Sequence, residues 1–145
     1  LEKTMALGFR DIEVFSAQPQ DLPADLSAIY AQTVAADTAQ ILRVAKLNDM
    51  IIAGYAMHGP LAHRGARGDS ASGDTDYVLQ MVAVQEQYRH QNVGRWLMGH
   101  AMGVAESKGG RGLKVPHTAH QDFFLALGFK ADAAIGGFRF QMIQE

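Results

Sequence analysis

No cysteine occurs in the 145 residues. That excludes disulfide scaffolds, thiolate zinc sites and Cys nucleophiles, and it suits a reducing compartment, so a cytoplasmic location is expected. A basic surplus is missing too. Lys and Arg number 13 against 15 Asp and Glu, a net charge of −2, and no local run is strongly basic. Nucleic acid is therefore not an expected partner. Long apolar runs are also lacking: the best, residues 50–57, falls far short of the roughly 20 residues of a spanning helix. The first residues show no basic region followed by an apolar stretch, so neither a signal peptide nor a membrane partner is expected. Met5 is a candidate natural start, which would make the residues before it an appended remnant. Two phosphate-binding signatures are missing as well, since the sequence contains neither G-x-x-x-x-G-K-[ST] nor G-x-G-x-x-G.

What is present describes a domain with a real core. Hydrophobic residues make up 48% and charged residues 19%, and the length suits one domain over residues 1–145. Phe9, Ile12, Val14 and Phe15 suggest a first strand. Asp21 and Pro23 suit the start of a helix, and Leu22, Leu26, Ile29, Tyr30 and Val34 recur at its three- and four-residue spacing. Residues 39–46 and 50–58 read as strands joined by a turn at Leu47-Asn48-Asp49. Residues 59–74 hold glycine, serine and aspartate with almost nothing apolar, the composition of a long surface loop.

The second half has a clearer rhythm. Residues 77–84 are nearly continuously apolar, as a strand covered on both faces would be. A polar stretch leads to Val93, Trp96, Leu97, Ala101, Val104 and Ala105 at helical spacing, ended by Gly109-Gly110-Arg111-Gly112. Residues 113–115 form a short strand, 117–127 a helix stopped by Gly128, and 138–142 a last strand. The expected order is β-α-β-β-β-α-β-α-β, a single-domain α/β layered fold with a mixed central sheet flanked by helices.

The chemistry concentrates where the apolar strand turns into the helix. The first amides of a helix have no partner within it, and the helix dipole favours negative charge there. The turn Arg89-His90-Gln91-Asn92-Val93-Gly94-Arg95 offers consecutive amides, a cation at each end, and a glycine where a side chain would keep a ligand off the backbone. A pyrophosphate fits such a turn.

The stretch from Val82 to Met98 resembles the acetyl-CoA-binding motif of the GNAT N-acetyltransferases, in which a strand is followed by a [RQ]-x-x-G-x-[GA] turn and a helix. Arg89 matches the first position, Asn92 the first glycine and Gly94 the last. Phe123-Phe124-Leu125-Ala126-Leu127-Gly128-Phe129 is similar to the family's F-Y-x-x-x-G-F signature. With the order of elements, these motifs extend the resemblance over most of the chain, although the first half matches in pattern only. Asn is the residue after Gly most tolerant of positive φ, so Asn92 should weaken the loop little.

The resemblance implies acetyl-CoA as co-substrate, no metal, and a small-molecule or peptide amine as acceptor. Val82, Ala83 and Val84 would bond the pantetheine arm through their backbone. Amides of His90, Gln91, Asn92, Val93, Gly94 and Arg95 would bind the pyrophosphate, with Arg89 and Arg95 as nearby charge. His117 falls where many members carry an Asn that contacts the cofactor, and Phe124 where many carry a Tyr that protonates the departing thiolate. Dimers are frequent in the family, so a homodimer is among the expectations.

Catalytic members also keep a Glu inside the fourth strand as a base, whereas here that interior reads Val78-Leu79-Gln80-Met81. Asp76 at the strand's mouth is the candidate base, Glu86 lies at its far end, and His117 is the candidate acid. Losing such help slows a reaction by about 10²- to 10⁴-fold without forbidding it. Three readings follow: a direct-transfer N-acyltransferase acting on a primary amine; an acetyl-CoA-binding regulatory domain with little turnover; and a metal-dependent hydrolase built on His117 and His120.

Overall fold

Two residues with positive φ, Asn48 (53°) and Asp49 (67°), set the register of the first half. Left-handed backbone at both central positions matches the twist of a two-residue hairpin, and Asn and Asp tolerate it best after glycine. In this computed structural model, which describes residues 11–36, 38–60, 75–116, 118 and 120–142, that turn folds β2 (Ile41–Leu47) back on β3 (Met50–His58). On the outer side of β2 lies β1 (Ile12–Ser16), antiparallel, and on the other side of β3 lies β4 (Tyr77–Val84), also antiparallel. Between β1 and β2 the chain forms α1 (Ala24–Thr33).

After β4 a one-turn 3-10 helix (Glu86–Tyr88) leads into α2 (Val93–Ser107), the crossover to β5 (Gly112–Val115), which runs parallel to β4. Then follow α3 (Gln121–Ala126), β6 (Lys130–Asp132) and β7 (Gly137–Gln141). The seven strands make one mixed sheet in the order β1-β2-β3-β4-β5-β7-β6.

The expected α/β order holds, with two corrections. A seventh strand, β6, pairs antiparallel with β7; its Lys-Ala-Asp sequence carries no apolar alternation, so only the hairpin to β7 makes it a strand. The last helix is also shorter than expected, Gln121–Ala126. His117 lies outside the described residues, as do residues 61–74 of the expected loop and the residues around Met5.

The sheet is apolar on both faces. Leu26 of α1 packs with Leu22, Val34, Leu42, Val44, Ala56, Met81 and Ala83 on one face. On the other, Val93, Leu97, Met98, Ala101 and Ala105 of α2 cover Ile52, Tyr55, Leu79 and Leu113, joined by Phe124 and Phe129. Two-sided cover explains why β4 reads as continuously apolar. Among the described residues, no helix is long and apolar enough to cross a membrane.

One polar pair sits inside the second layer. Tyr55, fully buried, shares a 2.9 Å hydrogen bond with His100 Nδ1 on α2. Burial pushes the phenol up to about 12, with the Arg43 charge partly opposing, and the same two causes, burial first, hold His100 below its usual 6.5. The fold therefore favours neutral His100. Above the unfolded value of 6.5 neither state takes up the proton. Below it the unfolded chain binds a proton that the folded chain resists, so stability falls as pH drops. We expect the Tm to fall more steeply between pH 7 and pH 5 in the wild type than in His100→Gln. Equal slopes in thermal melts would show that His100 is not the source.

Candidate functional site

The site starts from a strand pairing that stops early. Strands β4 and β5 are paired only at Tyr77↔Leu113 and Val78↔Lys114; beyond Val78 the two strands part. The β5-facing edge of β4 from Leu79 to Val84 is thus left without a strand partner, and a pleated strand presents its amides and carbonyls there at every second residue.

The phase of that alternation is set on the other side. Gln85 N donates to Ile52 O at 2.8 Å, and the register continues Val84↔Ala53, Ala83↔Gly54, Val82↔Tyr55. Gln85 and Ala83 therefore direct their backbone to β3, while Val82 and Val84 direct theirs into the cleft. This corrects the expectation for Ala83: its backbone groups are committed to Gly54, so Val82 and Val84 alone of the three line the open edge. The Val84 carbonyl is already met by Arg89, whose Nε donates to it at 2.9 Å. Arg89 thus ties the turn back onto the strand.

At the upper end of the cleft the turn leaves its amides unused. His90 (φ 65°) and Asn92 (φ 66°) both adopt the left-handed conformation on either side of Gln91, an alternation of the kind that makes anion-binding concavities in proteins. Trp96 N donates to Asn92 O at 3.0 Å, but the six amides from His90 to Arg95 have no acceptor among the described residues. They lead into the N-terminus of the 15-residue α2, where the helix dipole adds to their pull on an anion. His90, Gln91, Asn92 and Arg95 are exposed, and Val93 is buried beneath them. A Cβ on Gly94 would meet the Phe123 ring at 3.5 Å and Val84 Cγ2 at 3.7 Å, so the end of β4, the first turn of α2 and α3 converge at Gly94.

These features match known proteins. A family model described as "Acetyltransferase (GNAT) domain" matches residues 38–131, well over half of the chain. The protein belongs to the GNAT acetyltransferase family. No curated protein matches it, but solved structures share the fold. A GNAT family acetyltransferase from Brucella melitensis in complex with acetyl-CoA aligns with a TM-score of 0.61 at 16% identity, over 92% of this chain and 90% of its own. AtaTR bound with acetyl-CoA aligns with a TM-score of 0.65 at 17% identity, covering 91% and 94%. AtaT complexed with acetyl-methionyl-tRNAfMet aligns with a TM-score of 0.63 at 16% identity, covering 90% and 95%.

Within this GNAT domain the expected catalytic residues fare differently. Asp76 is 7% exposed and accepts two hydrogen bonds from Arg139, Nε at 2.6 Å and Nη2 at 2.9 Å, with Lys114 Nζ 3.9 Å away. Its carboxylate is held by cations of β7 and β5 just where the two strands are still paired with their neighbours. It sits at the opposite end of β4 from the free amides. That geometry suits a clamp on the closed end of the cleft and not a base for an incoming amine. His120 is exposed and its partner in the metal reading, His117, lies outside the described residues. Among the described residues no group of three His, Asp or Glu could hold a metal ion.

Phe124 is 2% exposed and packs edge-on against Phe123 (5.1 Å between centroids) and Phe129 (5.2 Å). The ring on Gly94 is that of Phe123, which the sequence offered only as the first position of the F-Y-x-x-x-G-F resemblance. A further residue escaped it. At the bulge of β4, where Ala56 pairs with Met81 and Met57 with Leu79, Gln80 has no partner across the strand. Nothing in a run of apolar residues reveals which one will be the unpaired one.

Removing the Asp76 clamp should cost stability. Arg139→Leu withdraws two charge-assisted hydrogen bonds from a buried carboxylate and should destabilise the fold by about 2–3 kcal/mol. Urea unfolding with an unchanged midpoint would show that the pair does not hold this end of the sheet.

Proposed function

We propose that this GNAT domain transfers an acetyl group from acetyl-CoA to a primary amine by direct attack. The observation that supports it is the join of two features: six free amides at the head of α2 and an unpartnered β4 edge running down from them. One suits a pyrophosphate and the other an amide-bearing pantetheine arm, which can add to the strand as peptides do in β-augmentation. Arg95 supplies a cation beside the amides, and Arg89 shapes the turn.

The chain's own groups then have limited roles. Val82 and Val84 orient the arm, and the Val82 amide is placed to polarise a thioester carbonyl, as an oxyanion donor would. The amine attacks that carbonyl, the C–N bond forms and the C–S bond breaks, and CoA leaves as the thiolate. With Asp76 clamped and Phe124 buried without a proton to give, the proton of the amine passes to water. Catalysis here rests on positioning and on the oxyanion donor. The cysteine-free composition supports a cytoplasmic setting. The acceptor we favour is a small molecule or a peptide, because a chain of net charge −2 gains little from a polyanion.

A second reading, acetyl-CoA binding with little turnover, is favoured by Phe124 and by a β4 interior without a carboxylate. Calorimetric titration with acetyl-CoA, and thiol release with benzylamine, spermidine, the tripeptide Ala-Gly-Gly and methionyl-tRNA, separate the two. Amine-dependent release supports the transferase; binding with no release from any amine supports the second reading; no binding overturns both. Gly94→Glu places a carboxylate among the amides and should weaken acetyl-CoA binding at least 100-fold. Gly94→Ala, whose Cβ makes only ordinary contacts, should keep the fold. Normal affinity in the Glu variant would move the cofactor site elsewhere.

A further inference from the structure

A sheet edge is a row of unpaired amides and carbonyls, and folded proteins normally shorten, charge or cover it. The outermost strands here are β1 and β6. Strand β6 is guarded: it has three residues, Lys130, Ala131 and Asp132, and two of them are charged. Strand β1 is not. Its residues, Ile12–Ser16, include no proline and no glycine, and their one charge is Glu13. They also include Phe15, which is 41% exposed.

What β1 offers follows from its pairing with β2. Ala17 N donates to Leu42 O at 3.0 Å, in the same register as Phe15↔Val44 and Glu13↔Lys46. Glu13 and Phe15 therefore direct their backbone to β2, while Ile12, Val14 and Ser16 direct theirs outward. Among the described residues no strand pairs with that outer edge. The outward groups are self-complementary. With a second β1 antiparallel about a two-fold axis at Val14, Val14 faces the partner's Val14 and Ile12 faces the partner's Ser16. Three facing pairs then exchange two hydrogen bonds each, about six in all. An axis at Glu13 or Phe15 would leave only two such pairs.

The side chains agree with this register. Lys46 stands across from Glu13 on β2, yet it lies over the Phe15 ring, 5.0 Å from the centroid. Glu13 makes no ion pair among the described residues. About the Val14 axis, Glu13 faces the partner's Phe15, and so comes beside the partner's Lys46. Both exposed rings are covered, and both carboxylates gain a cation.

We propose that two copies of this chain associate through β1, antiparallel about Val14, so that their sheets become one. Strand β1 lies three strands from β4, about 14 Å, so this surface is separate from the groove and does not rest on the proposed reaction. A single short strand from each copy makes a small interface, and the association is therefore reversible and concentration-dependent.

Sedimentation equilibrium of the full chain from about 10 μM to about 1 mM, a range suited to small interfaces, should show the mean mass rising from one chain toward two. Val14→Pro removes an outward N–H, leaves the ladder to β2 intact, and should weaken association about 10-fold. Glu13→Lys sets two cations together at each contact, and Lys46→Glu sets two carboxylates together. Each alone should weaken association about 10-fold. An equimolar mixture of these two variants has opposite charges at both contacts and should recover the wild-type mass. Thermal melts establish that each variant is folded. A wild type that remains a single chain at about 1 mM overturns the proposal. Undiminished association in Val14→Pro also overturns it, because the contact then lies elsewhere. A mixture no more associated than its separate components overturns the two-fold register.

Discussion

The early arrest of pairing between β4 and β5 is the constraint on which the site depends. Two strands that stayed in register would satisfy each other's backbone and leave no groove. Here they pair at two positions and part, held together at the closed end by Asp76, Arg139 and Lys114. Parallel strands need a long crossover, and that crossover is α2. Its start leaves the strand at the open end of the groove, so free amides and a free strand edge come to lie side by side. Groove and fold are here the same event.

Such a groove can be recognised from sequence only in part. The long apolar strand, the hairpin at Asn48-Asp49 and the helical spacing after Val93 report local preferences, and each is seen with nearly the bounds expected. The turn at residues 89–95 was also legible, since glycine and paired cations at a strand-to-helix junction carry their own physical reason. What stayed hidden is tertiary. The bulge at Gln80 arises from the register of β3 against β4. The commitment of Ala83 to Gly54 depends on hydrogen-bond phase, and β6 exists because β7 offers it an edge. Asp76 looked available in the sequence because nothing near it hinted at Arg139, 63 residues away.

The aromatic cluster of Phe123, Phe124 and Phe129 shows how one segment serves two ends. Phe124 and Phe129 fill the layer under α2, while Phe123 reaches the glycine at the head of that helix. Edge-on rings contribute about 0.5–1.5 kcal/mol beyond their buried area. The position of the groove's upper wall is therefore coupled to the packing of the core, so a change in core volume near α3 is felt at the turn that leads into α2. Under the proposed transferase reading this rigidity is a gain, since misplacement by about 1 Å can reduce a rate 100-fold.

The clamp and the turn with free amides occupy opposite ends of an eight-residue strand, about 26 Å apart along its length. Effects at sites this far apart, with no shared partner, generally add. The Asp76 pair and the turn at the head of α2 thus share no side chain, and changes at one should add to changes at the other. Changes that strengthen one can accumulate in this chain without being traded against the other.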